Sequence, residues 1–145
     1  MRRRAGFSLT ELMTTLVILG LLLLFSIPAV NKYLTDWNLQ TSRNIVVSEI
    51  KLLRQRAITQ GRSLRIWFSQ GSNQYWFQDP NTLVWTMYKL PNRVTFSYVL
   101  FPGGPYDTYL EPDGRSRRSG TIFLTAQGGK QDTVLVDLTG WVGRP

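Results

Sequence analysis

The sequence predicts an α+β protein, one long N-terminal helix followed by antiparallel β-sheets. Three observations carry that expectation. An uncharged apolar run, Leu12 to Val30, is continued by an apolar stripe of helical period. After Gly61 the period falls to two. From there, short segments rich in aromatic and β-branched residues alternate with Gly, Pro, Asn and Asp clusters. A chain of 145 residues has room for one domain and an appendage. No internal repeat or low-complexity tract is present.

The first element opens on a basic segment, Arg2-Arg3-Arg4, and enters an apolar run of 19 residues without charge. At about 1.5 Å per residue this run spans roughly 28 Å, close to the hydrocarbon thickness of a bilayer. The arginines favour a cytoplasmic N-terminus and place the chain beyond Val30 across the membrane. Pro28, near the far end, is expected to kink or loosen the helix. A secretory signal peptide is the commoner meaning of such a start. Against it, Ser26-Ile27-Pro28-Ala29 is a poor cleavage site, and Glu11 places an acid at the edge of the run. An intramembrane acid costs about 2.5–3.5 kcal/mol on insertion scales, so an unpaired one calls for a purpose.

The segment Arg4-Ala5-Gly6-Phe7-Ser8-Leu9-Thr10-Glu11-Leu12 resembles the type III leader of type IV pilins and type II secretion pseudopilins. The resemblance spans nine contiguous residues and continues into the apolar helix. It implies that a prepilin peptidase removes residues 1–6 by cutting after Gly6, then methylates the new N-terminal residue, Phe7. It also implies that Glu11 is the assembly glutamate. Physical chemistry gives the spacing a reason. The ammonium exposed at Phe7 lies four residues from Glu11, about one helical turn. In an apolar medium the two charges need each other, or the same groups on a neighbouring subunit, and a displaced subunit would bury both unpaired. Before cleavage that amine does not exist.

Helical periodicity continues past Val30. Leu39, Val46, Ile50, Leu53 and Ala57 recur at offsets of seven, four, three and four, one stripe of an amphipathic helix. Arg43, Lys51, Arg54 and Arg56 fall beside or opposite it, as a solvated face would. Gly61 is the expected stop, with Arg54 and Arg56 suiting a helix C-terminus. Polar residues from Asn31 to Asn38 are a place for a local interruption. The expected organisation is therefore a leader at 1–6, a transmembrane and assembly half-helix at 7–30, an amphipathic half-helix at 31–62, and a β-rich head at 63–145.

Within the head, Leu64–Phe68, Gln74–Phe77 and Leu83–Tyr88 read as three strands of a meander, turning at Gln70–Asn73 and Asp79–Asn81. Arg93–Leu100 is a fourth strand. Phe101-Pro102-Gly103-Gly104-Pro105 breaks the chain, and the stretch to Ser119 reads as a long loop. Thr121–Leu124 and Thr133–Leu138 form a second hairpin across Gln127–Lys130, and Trp141-Val142 closes the chain. This ending, from Gly114 through Ser119–Leu124 to Val134–Val142, resembles that of GspH/FimT-type minor pseudopilins, with Trp141 where that family carries arginine.

Composition narrows the function classes. There is no Cys and no His, which removes disulfides, thiol chemistry and the usual zinc ligand sets. The common acyl-transfer mechanisms lose their base. Asp107, Glu111 and Asp113 cluster beside Arg115, Arg117 and Arg118, and a solvated, self-neutralising loop accounts for them. Gly103-Gly104 and Gly128-Gly129 lack the features of phosphate loops. The sequence thus predicts no enzyme, no cofactor, no metal and no small-molecule substrate. Net charge is +8; without Arg2, Arg3 and Arg4 the chain holds 14 basic residues against 9 acidic ones, a net +5. That excess permits contact with anionic partners without requiring it.

The resemblances imply a minor pseudopilin or pilin of a type II secretion system or type IV pilus, in the bacterial inner membrane, that helps prime or cap a filament. Its implied partners are the peptidase/methyltransferase, other pilin or pseudopilin subunits and the membrane. The alternative is a minor pilin that binds DNA during uptake. Some FimT-like proteins do so through a C-terminal glycine-arginine motif, which offers Arg115, Arg117, Arg118 and Arg144 as candidates here. Trp141 and the neighbouring acids weigh against it.

Overall fold

The computed structural model describes residues 8–79, 82–91, 93–104 and 106–144, with the backbone alone at 25–29. It falls into two units, Met1–Leu34 and Thr35–Pro145. Helix α1 covers Leu9–Gln60. The polar stretch at 31–38 remains helical, so the expected interruption does not occur there. The backbone at Pro28 is also helical. Gly61 ends the helix as anticipated. It adopts φ 62°, its N–H donates to the Ile58 carbonyl, and the Arg62 N–H reaches back to Ala57, which together make a Schellman cap.

Eight strands follow: β1 (Leu64–Phe68), β2 (Gln74–Gln78), β3 (Trp85–Lys89), β4 (Val94–Leu100), β5 (Asp107–Leu110), β6 (Gly120–Ala126), β7 (Gln131–Val136) and β8 (Val142–Gly143). They form two four-stranded antiparallel sheets, ordered β3-β2-β1-β5 and β4-β6-β7-β8. Two predicted strands begin late for the same reason. Leu83 and Arg93 carry positive φ, 58° and 78°, a conformation strands exclude, so β3 starts at Trp85 and β4 at Val94.

The expected loop between Phe101 and Ser119 is the larger correction, because it contains β5. Asp107–Leu110 pairs with β1 in the register Leu64↔Leu110 to Trp67↔Asp107. Glu111-Pro112-Asp113-Gly114 then turns the chain, closed by Glu111 N–H to the Arg115 carbonyl and Gly114 N–H to the Glu111 carbonyl. Gly114 takes φ 81° in that turn.

All five residues of the predicted helical stripe, Leu39, Val46, Ile50, Leu53 and Ala57, are buried. They share one core with the inward faces of both sheets, including Leu64, Ile66 and Phe68 of β1, Ile122 and Leu124 of β6, and Val134 and Val136 of β7. Arg54, expected on the solvated face, instead clasps two turns of the head. Its Nε donates to the Gly114 carbonyl at 2.7 Å and its Nη2 to the Thr139 carbonyl at 3.4 Å. Those turns meet closely. A Cβ on Gly140, itself at φ 77°, would lie 2.0 Å from the Gly114 carbonyl oxygen.

Candidate functional site

The N-terminal segment is built by its helix start. The Ser8 carbonyl accepts the Leu12 N–H at 3.1 Å, the first bond of α1. Thr14 and Thr15, two polar residues of the apolar run, turn their hydroxyls onto the carbonyls of Thr10 and Leu12. Their polarity is thus satisfied within the helix, as an apolar surrounding demands. Large apolar side chains from Leu12 to Leu24 are 52–66% exposed and occupy all sides of the helix. A helix apolar all round belongs in a membrane or among other helices. Among the described residues, no helix is long and apolar enough to cross a membrane.

Glu11 lies in the first turn of α1 and has no ion-pair partner among the described residues. The helix dipole favours an acid there by about 0.3–1 kcal/mol. That is less than the roughly 2.5–3.5 kcal/mol lost on entering an apolar phase. In an apolar phase the dipole alone would leave the carboxylate in need of a cation. Gly6 and Phe7, the predicted processing residues, and Arg2 to Arg4 lie outside the described residues.

The candidate arginines divide between two places. Arg117 pairs with Glu111 at 2.6 Å and stacks on the Tyr109 ring, its guanidinium carbon 4.4 Å from the centroid. Arg118 pairs with Asp107 at 2.9 Å, while Arg115, 75% exposed, lies 3.7 Å from Asp113. The acids and arginines of this stretch neutralise one another as expected, but not as a solvated loop. Asp107 is a buried residue of β5, also held by Arg65 Nε. Arg144 belongs to a separate group. It lies 3.9 Å from Asp132, which Arg43 reaches at 3.5 Å, next to the Lys130–Asp36 pair. Trp141 is half exposed, and a Cβ on Gly143 would fall within 2.6 Å of its indole.

Sequence reasoning gives Arg65 no functional role, since on β1 it reads as one outward residue of an alternating strand. The signal that could find it is Arg65-x-Trp67, two outward positions carrying a cation and a large ring. Among the described residues no group of three or more acidic side chains is placed to hold a metal ion.

Residues 1–27 match the prokaryotic N-terminal methylation motif. A sequence search of curated proteins finds no match. Among solved structures, the chain is similar to the minor pseudopilin EpsH of the type II secretion system of Vibrio cholerae. The two share 13% identity over 77% of this chain and 94% of that one, with a TM-score of 0.59. It is likewise similar to the type IV minor pilin FimU of Pseudomonas aeruginosa PAO1, at 12% identity, 77% and 92% coverage and a TM-score of 0.59. The chain therefore joins a prepilin-type N-terminal methylation motif to the long-helix, antiparallel-sheet fold of minor pseudopilins and minor pilins.

Proposed function

We propose that the chain is a minor pseudopilin or pilin subunit of a type II secretion system or type IV pilus, and that it primes or caps the filament. In this reading, cleavage after Gly6 frees the amine of Phe7, which is methylated. The apolar half of α1 stores the subunit in the bacterial inner membrane with its N-terminus cytoplasmic and its head outside, and then packs into the filament. Residues 1–6, 7–30, 31–62 and 63–145 are the leader, assembly half-helix, amphipathic half-helix and head.

The observation that carries the proposal is the apolar helix surface from Leu12 to Leu24, with Glu11 at its start and no ion pair to it among the described residues. Both features ask for partners of one kind, other helices bearing an N-terminal ammonium. The test is co-expression with a prepilin peptidase and the other filament subunits. Glu11→Ala should be cleaved normally yet enter filaments at least about tenfold less often, as loss of a desolvated charge pair implies. Gly6→Leu should retain Arg2 to Arg4. Normal incorporation of the Glu11 variant would defeat the charge-pair mechanism, and a mature chain beginning elsewhere than Phe7 would defeat the reading as a whole.

DNA capture during uptake is the alternative. The acids beside Arg115, Arg117, Arg118 and Arg144 count against it, because phosphate contacts require cations free to release counterions.

A further inference from the structure

The outward face of the β3-β2-β1-β5 sheet carries chemistry that filament assembly does not use. Directly paired residues of an antiparallel ladder project to the same side. Arg65 and Trp67 therefore share a face with Trp76 and Gln78, with Trp85 and Met87, and with Asp107 and Tyr109. Arg65, Trp67, Trp76 and Trp85 line an open hollow of about 340 Å³. The rings of Trp67 and Trp76 lie 4.6 Å apart at 48°, an angled pair of flat walls. Trp85 is exposed and Trp67 and Trp76 are half-buried, so the hollow presents aromatic surface to an occupant.

The polar end of the hollow is organised by a buried group. The Asp107 side chain, 2% exposed, accepts from Arg65 Nε at one oxygen and from Arg118 Nη1 at the other. One carboxylate thus faces two guanidinium groups, and one positive charge is left unbalanced. Arg65 lies against both Trp85 and Tyr109, its guanidinium carbon 5.4 and 5.3 Å from their centroids. With Nε committed to Asp107, its terminal nitrogens make no hydrogen bond among the described residues. The side chains lining the hollow can only donate, since neither indole nor guanidinium has an acceptor.

We infer that this hollow binds a pyranose ring carrying one carboxylate, the sugar acid of a glycan. The ring's C–H groups lie against the electron-rich indole faces, and the carboxylate takes the open fork of Arg65. A neutral sugar lacks the charge to match. A purely apolar segment would bury the Arg65 donors unpaired. Single-stranded nucleic acid stacks on aromatic rings too, but it needs a track of free cations, whereas Arg115, Arg117 and Arg118 each sit on an acid. The inference stands apart from the filament reading and holds whichever machine the subunit serves.

The test uses the full chain in detergent micelles, following the five indole N–H resonances by NMR as methyl glucuronide is added. Trp67, Trp76 and Trp85 should shift saturably at millimolar ligand, while Trp37 and Trp141 stay still. Methyl glucoside should bind about tenfold more weakly, and so should the sugar acid to Arg65→Lys, which keeps the charge and loses the fork. Trp85→Ala, on an exposed edge strand and outside the Asp107 hydrogen bonds, should weaken binding by a similar factor and guards against misfolding of the Arg65 variant. The inference is overturned by an absence of saturable shifts up to roughly 50 mM. It is equally overturned by equal binding of the neutral glycoside, or by tighter binding of oligothymidylate than of the sugar acid.

Discussion

Leu19 and Ile50 are both aliphatic residues of α1, yet Leu19 is 56% exposed and Ile50 is 0% exposed. Between them the surface of the helix changes. From Leu12 to Leu24 apolar side chains occupy every side, and only Thr14, Thr15 and Gly20 interrupt them. From Leu39 to Ala57 the buried apolar residues narrow to one stripe, and charged residues return on the other faces. The lesson is that one helix can hold two kinds of hydrophobic surface. One is satisfied within the chain, and the other is left for something outside it.

The sharpest way to break this comparison is to make equal cuts in both halves. Ile50→Ala should destabilise the head by about 2–5 kcal/mol in denaturant unfolding of the full chain in micelles, the usual cost of an aliphatic core truncation. Leu19→Ala removes a similar group and should leave that transition unchanged. Equal effects would mean that the exposed half also stabilises the head.

A smaller loss is expected at Gly140, where the turn after β7 meets the turn after β5. Gly140→Ala would set a Cβ 2.0 Å from the Gly114 carbonyl oxygen at a positive φ. It should cost about 1–3 kcal/mol in the same assay, the scale of a strained backbone residue. Gly128→Ala also has positive φ but meets nothing within 4 Å, so it should cost less. The difference between them isolates the steric contact from the backbone strain.

Within the buried half, Ser42 is a flaw in the stripe. It is fully buried, and its hydroxyl has no hydrogen-bond partner among the described residues. Ser42→Ala should raise stability by up to about 1 kcal/mol, because an unsatisfied polar atom is removed and alanine suits a helix better. A loss of stability would show that the hydroxyl has a partner in solution.

The smallest effect belongs to the surface turn at Asp137. Its carboxyl is held below the ordinary carboxylate range, first by the Thr139 hydroxyl and then by backbone N–H groups. A depressed folded value means that this stabilisation is present above the unfolded-state value and is lost as pH falls through the folded one. Loosening of the β7–β8 turn is therefore confined to the acid side of the carboxylate range. Thr139→Val should move the Asp137 titration upward by NMR, and an unmoved titration would discount the hydroxyl.

The local code of the fold is readable from the chain. Helical period identifies each residue of the buried stripe. Alternation locates six of the strands to within about two residues, and the glycine stop at Gly61 has its mechanism in the sequence. The strand β5 is not readable, because a segment containing Asp107 and followed by Glu111 and Asp113 looks solvated on its own. Asp107 is buried only because β1 brings Arg65, 42 positions away, and the next turn brings Arg118.

Arg54 escapes local reading on the same ground, since the carbonyls it serves belong to turns 60 and 85 positions downstream. Periodicity and turn chemistry act over a few residues, so the sequence alone determined most of the elements and the N-terminal motif. Which strands are neighbours, and which charges meet away from water, depends on contacts between distant segments, and those only the tertiary structure decided.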